Sequence, residues 1–125
     1  MADQINKNIC VVGAGYWGQN HISTLHRLNA LKGIVEHDND ILNTTLKKYA
    51  NVNGHLKIED ALIEDYDGFV IATPAKTHFG IAKIIINAGK HILIEKPMTL
   101  SIEEAKELMV LAEKNKINAM VGHVL

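Results

Sequence analysis

Apolar positions along the chain follow two patterns in alternation. Short runs rich in Val and Ile, at Asn8–Val12, Gly33–Glu36, His55–Leu56, Gly68–Ala72, His91–Glu95 and Ala119–His123, predict strands. Most of these runs are continuous rather than alternating, which predicts strands buried on both faces in a parallel sheet. The stretches between them, Tyr16–Leu28, Ile41–Tyr49, Ile58–Ile63, Thr77–Ala88 and Ile102–Lys114, predict helices. In the last of these, Ser101 and Glu104 have capping-box spacing, and Ile102, Ala105, Leu108, Met109 and Ala112 are expected on one face. Gly89 offers a left-handed end to the preceding helix. The third strand, beside Asn53-Gly54, has the weakest pattern. Six strands separated by five helices with short connections predict an α/β fold, a doubly wound, six-stranded parallel sheet. The expected unit is a single domain over residues 1–125, with residues 1–6 as a loose tail.

Composition narrows this picture without changing it. At 125 residues, 47% hydrophobic and 22% charged, the chain has room for one core. Thirteen basic residues against fourteen acidic ones leave a net charge of −1, so no broad field would recruit nucleic acid or an anionic membrane. The longest apolar stretches, such as Cys10–Val12, Phe69–Ala72 and Ile84–Ile86, fall far short of the ~20 residues that cross a bilayer. The opening Met1-Ala2-Asp3-Gln4 lacks a secretory pattern and the single Cys10 has no internal partner, so the expected location is the cytoplasm.

Gly13-Ala14-Gly15-Tyr16-Trp17-Gly18 fits G-x-G-x-x-G and lies directly between a predicted strand and a predicted helix. In that setting the first glycine permits a tight turn, the second lets a pyrophosphate approach the backbone, and the third lets the helix pack close to the strand. The helix start adds free N–H groups and the positive end of its dipole. A dinucleotide is the expected ligand. An acidic residue is then expected about 20 residues on, to accept hydrogen bonds from the adenosine ribose. Glu36 ends the second predicted strand at that distance, with Asp38 as its rival. A carboxylate there repels a 2′-phosphate. No Arg is near in sequence, His37 being the only neighbouring group that could accept that phosphate, so NAD is expected over NADP.

Two further segments carry a resemblance. Asp67-Gly68-Phe69-Val70-Ile71-Ala72-Thr73-Pro74 with Thr77-His78, followed by Gly89-Lys90-His91-Ile92-Leu93-Ile94-Glu95-Lys96-Pro97, resembles the nucleotide-binding domain of the Gfo/Idh/MocA oxidoreductases, the family of glucose-fructose oxidoreductase and inositol dehydrogenase. The likeness runs from about Lys7 to the end. Tyr16-Trp17-Gly18 with Asn20, and Gly122-His123, look most like the branch acting on nucleotide sugars. The resemblance implies hydride transfer between NAD(P) and a sugar, nucleotide-sugar or cyclitol hydroxyl. It places Lys96 beside both the nicotinamide ribose and the substrate hydroxyl as the catalytic residue, with Glu95 alongside. A lysine there could accept or relay the hydroxyl proton that must leave as the hydride does. It also implies that Thr73, Pro74 and His78 lie along the nicotinamide half of the cofactor, and that the peptide before Pro97 is cis. For His78, a helix-start residue that bonds the loop backbone is an equal reading.

No metal site is expected, because none of the seven histidines has ligand spacing: His21 and His26, for example, lie on different helix faces. Members of that family carry a second α+β domain that binds substrate and oligomerises, and no counterpart to it is expected within these 125 residues. The chain is therefore expected to be inactive alone, as part of a longer homo-oligomeric dehydrogenase, or else to be a free-standing NAD-binding, redox-sensing module.

Overall fold

The computed structural model describes residues 7–122. The tail expected at residues 1–6, and His123 at the end of the sixth predicted strand, lie outside the described residues. Six strands, β1 (Ile9–Val12), β2 (Leu31–Val35), β3 (Asn53–His55), β4 (Gly68–Ile71), β5 (His91–Glu95) and β6 (Ala119–Gly122), alternate with five helices. These are α1 (Tyr16–Arg27), α2 (Asn39–Leu46), α3 (Ile58–Leu62), α4 (His78–Asn87) and α5 (Ile102–Lys114). All neighbouring strands pair in parallel, in the order β3-β2-β1-β4-β5-β6. This is the doubly wound order expected from the alternating pattern.

The continuous apolar runs have the cause that the sequence predicts. β1 lies mid-sheet, and its successive side chains enter two different cores. Cys10 and Val12 pack with Phe69, Ile71, Ile92 and Ile94 beneath Ala61 of α3, Ala82, Ile85 and Ile86 of α4, and Leu108 and Ala112 of α5. Val11 packs on the other face with Ile34 and Val70 under Ile22 of α1 and Leu42 of α2. Each fully buried Val, Ile or Leu adds about 1.5–3 kcal/mol of transfer free energy. Together these layers hold the sheet rigid where its strand ends form a site.

Departures from the expected elements have local causes. β2 begins at Leu31, which is buried and pairs with Ile9 of β1; Lys32 turns to solvent, and Gly33 lies against Tyr66 so closely that a Cβ would stand 2.2 Å from the phenol oxygen. β3 uses Asn53 and Gly54, poor strand formers, since backbone pairing with Gly33 and Ile34 at the sheet edge outweighs their propensity. α2 starts early at Asn39: Asp38 caps it, its carboxylate accepting from Asp40 N and Ile41 N at 3.0 Å. A short 3₁₀ turn, Ala75–Thr77, precedes α4. In α5 the expected cap forms, Ser101 Oγ accepting from Glu104 N at 3.1 Å. The expected apolar face is narrower than predicted, because Leu108 and Ala112 are buried while Ile102 and Met109 stand in solvent. Gly89 does end α4 with a positive φ of 77°.

Candidate functional site

The chain leaves β1 for α1 on one face of the sheet and leaves β4 for α4 on the other. Their carboxyl ends therefore diverge and open a crevice, the usual ligand position in doubly wound sheets. Gly13 lines it at a φ of 101°, and a Cβ there would lie 3.0 Å from the Ala72 backbone and from Thr73 Cγ2. A Cβ on Gly18 would fall 1.8 Å from the Gly13 carbonyl oxygen, so α1 can sit this close to the loop only with glycine there. Gly15 differs: it is extended, with φ −78° and ψ −159°, and a Cβ there would meet nothing within 4 Å. Packing explains the first and third glycines and leaves the second unexplained.

The loop is braced from both sides at Ala14. Glu36, 7% exposed, accepts from Ala14 N at 2.8 Å through Oε1 and from Asp38 N at 3.0 Å through Oε2. Gln19 donates its amide to Ala14 O and to Thr45 Oγ1, both at 2.9 Å. Of the two candidate carboxylates, Asp38 is spent on the α2 cap, whereas Glu36 closes β2 and lines a cavity of about 160 Å³. Val12, Val35, Leu56, Ile58 and Ile81 supply its apolar wall, with Thr73 at its edge. His37 stands exposed, 3.4 Å from Glu36. The start of α1 has no side-chain cap and no acidic residue in its first turn, which leaves its dipole end to a ligand. Tyr16 and Trp17 stand there in solvent, ring to ring edge-on at 5.2 Å.

On the other side of the crevice, Thr73 and Pro74 follow β4, and Glu95 and Lys96 end and follow β5. Thr77 Oγ1 lies 2.6 Å from Thr73 Oγ1 and 2.7 Å from Pro74 O, holding that turn closed. Lys96 is exposed, and the Lys96–Pro97 peptide is cis. His78 is brought to the site without facing it. It is 1% exposed, and its Nε2 and Nδ1 lie 2.7 Å from Thr73 O and 2.8 Å from Pro97 O. It ties the β4 turn to the β5 turn, as in the backbone-bonding reading of this residue. Glu95 is 8% exposed and paired through Oε1 with His21 of α1. Sequence reading missed His21 and Gln19, since nothing local marks a helix side chain that reaches a distant strand end, as His21 does, or that turns back onto the preceding loop and across to α2, as Gln19 does. It read Leu56, Ile58 and Ile81 only as parts of elements, although their spacing after Glu36 and Thr73 places them at strand ends and helix starts.

Away from the crevice, burial pushes the Cys10 thiol well above its ordinary range. Burial also pushes Tyr66 up to about 12, reinforced by the neighbouring Cys10. A wider depression, about 500 Å³, lies at the opposite, amino-terminal end of the strands, between Lys7, Asp65, Asp67, Lys90 and His91. It has neither glycine loop nor helix start, so position, not size, selects the crevice. Among the described residues no helix is long and apolar enough to cross a membrane.

Comparison with known proteins agrees with the geometry. The family described as "Oxidoreductase family, NAD-binding Rossmann fold", Gfo/Idh/MocA, matches residues 7–123. UDP-N-acetylglucosamine 3-dehydrogenase of Acidithiobacillus ferrooxidans is 32% identical over 119 residues, 91% of this chain and 36% of that protein. Glucose-6-phosphate 3-dehydrogenase of Bacillus subtilis is 32% identical over 120 residues, 93% of this chain and 33% of that protein. Among solved structures, GenD2 from gentamicin A biosynthesis in complex with NAD superposes with a TM-score of 0.87 at 29% identity, covering 95% of this chain and 35% of that one. The chain spans about a third of the length of the curated relatives it matches. It belongs to the Gfo/Idh/MocA oxidoreductase family and has that family's NAD-binding Rossmann fold.

Proposed function

We propose that this chain binds NAD(H) across the crevice between β1 and β4 and is the dinucleotide-binding part of a dehydrogenase acting on a sugar or nucleotide-sugar hydroxyl. One observation carries the reading: Gly15 is the loop glycine that no contact within the protein requires, and open space lies where its side chain would be. A pyrophosphate beside an uncapped helix start accounts for that space. The residues fit the rest of the cofactor. Glu36 uses one lone pair on each oxygen for Ala14 N and Asp38 N and keeps others for the ribose hydroxyls. Leu56, Ile58 and Ile81 offer apolar walls to the adenine. Thr73, Pro74, Glu95 and Lys96 lie on the half of the sheet that would take the nicotinamide. Bound there, the nicotinamide supplies the hydride acceptor or donor.

Lys96 is the proposed catalytic residue, relaying the proton of the substrate hydroxyl. It stands exposed at the end of β5, so the chain supplies one wall of a reaction site rather than an enclosure. Holding reacting groups in place contributes about 7–11 kcal/mol to lowering a barrier, and one wall does not hold a sugar. The 125-residue chain is therefore expected to bind NADH and to turn over no sugar. The sugar class rests on the names of the relatives, which act on UDP-N-acetylglucosamine and glucose-6-phosphate. The test follows reduced nicotinamide by absorbance with UDP-sugars, hexose phosphates and inositols. It compares this chain with whatever reading frame continues past Leu125 in the gene. Activity only in a longer frame, lost about 100-fold or more on Lys96→Ala, is expected. Robust turnover by the short chain would overturn the division of labour, and a stop codon directly after Leu125 would favour a binding module.

A further inference from the structure

The pairing of His21 with Glu95 joins the two halves of the crevice. His21 lies one turn into α1, the helix whose start would receive the pyrophosphate, and Glu95 is the last residue of β5. Sequence separation is 74 residues, and the two meet because α1 starts at the carboxyl end of the sheet, where β5 also ends. Glu95 is held closely: its side chain is 11% exposed, and it lies over Gly122 of β6, where a Cβ would stand 3.5 Å from Oε1. Only Oε1 is engaged, by His21 Nε2, and among the described residues no buried side-chain oxygen is left without a partner, so Oε2 opens to solvent. A carboxylate anchored through one oxygen, next in sequence to Lys96, presents the other in a fixed direction.

We propose that His21 is a positioning residue: its Nε2–H fixes the Glu95 carboxylate so that Oε2 receives an N–H of the carboxamide on the nicotinamide ring. The inference rests on the proposed dinucleotide site and adds to it a residue on the helix of the phosphate loop. Without His21 the Glu95 side chain gains rotamers, and each must be frozen again on binding. The penalty falls on ligands that reach Glu95 and spares those that stop at the second ribose. NADH and ADP-ribose differ in just this way, since they share the adenosine and pyrophosphate and only NADH has the nicotinamide ring.

The experiment is calorimetric titration of the 125-residue chain with NADH and with ADP-ribose, in the parent, His21→Ala, His21→Gln, Glu95→Ala and the double variant His21→Ala/Glu95→Ala. His21→Ala is expected to weaken NADH about tenfold while leaving ADP-ribose within about twofold. His21→Gln, whose amide can still donate to the carboxylate, is expected to recover most of the loss. In the Glu95→Ala background, removal of His21 is expected to change nothing further. Equal weakening of both ligands by His21→Ala would overturn the proposal, as would additive losses in the double variant. Unfolding of both His21 variants in thermal melts would also overturn it, by making the role purely structural. If the parent binds neither ligand, the dinucleotide site itself fails, an outcome distinct from those.

Discussion

Replacing Gly15 and Gly18 separately by alanine separates ligand from packing, because the two added methyl groups meet opposite surroundings. At Gly15 the methyl enters open space in an extended backbone that any residue adopts. The unfolded chain loses freedom, so the fold is expected to hold or gain about 0.4–1 kcal/mol. At Gly18, inside α1, alanine has about 1 kcal/mol of helix propensity in its favour. Against it stands a 1.8 Å approach to the Gly13 carbonyl, a backbone atom that cannot rotate away. A shift of well over 1 Å would be needed to reach ordinary contact, at a cost of about 1–3 kcal/mol or more, so net destabilisation is expected. At about 4 °C per kcal/mol, the two variants should differ in Tm by several degrees, Gly18→Ala being the lower. Binding should show a different pattern. A methyl at Gly15 would occupy the pyrophosphate's place, and losing about two charge-assisted hydrogen bonds at 1.5–3 kcal/mol each weakens NADH by roughly 100- to 10,000-fold. Thermal melts by circular dichroism and NADH titration on the same preparations decide it. A Gly15→Ala chain that melts like the parent and still binds NADH as tightly would refute the placement of the phosphates.

Other substitutions test the core and the brace. Phe69→Ala should cost about 3–5 kcal/mol, because Phe69 is 1% exposed among Cys10, Tyr66 and Ile71 at the centre of one core; urea titration reads it directly. Glu36→Ala should cost about 2–4 kcal/mol, since it strips the partners from Ala14 N and Asp38 N, and should narrow the preference for NADH over NADPH. Raising the pH should lower the urea midpoint. Folded Cys10 and Tyr66 keep protons that the unfolded chain releases, so the unfolded state binds fewer and stability falls. The fall should begin in the ordinary thiol range near pH 8.5 and continue between about pH 10, the ordinary Tyr value, and about 12, the folded Tyr66 value. Cys10→Ala should flatten its first part, and a midpoint that holds constant from pH 8 to 10 in the parent would contradict the burial argument.

Strands and helices were legible wherever burial alone determined them. β5 and α5 fall on their expected bounds, His91–Glu95 and Ile102–Lys114, because the first is an unbroken apolar run and the second opens on a serine cap. β3 was hard to read because its stability comes from an edge ladder to β2, a tertiary term that Asn53-Gly54 does not advertise. The site was legible in its backbone half: three glycines and a strand-end carboxylate carry their spacing in the sequence. Its side-chain half was not. His21 reaches Glu95, Gln19 reaches Thr45 and His78 reaches Pro97 across loops whose closeness exists only once the sheet has assembled. The mixed role of His78 shows the limit, since motif position brings it to the crevice while burial turns it toward two carbonyls.

The central claim is that a dinucleotide lies in the β1–β4 crevice with its adenosine ribose on Glu36, and parallel calorimetric titrations of the 125-residue chain with NADH and NADPH test it most directly. A 2′-phosphate brought against a buried carboxylate with no arginine nearby in sequence is a like-charge contact worth several kcal/mol, and tenfold discrimination needs only about 1.4 kcal/mol. Saturable binding of NADH at one site per chain, at least tenfold tighter than NADPH, is the predicted result. Equal affinities, tighter NADPH, or no heat with either cofactor would contradict it.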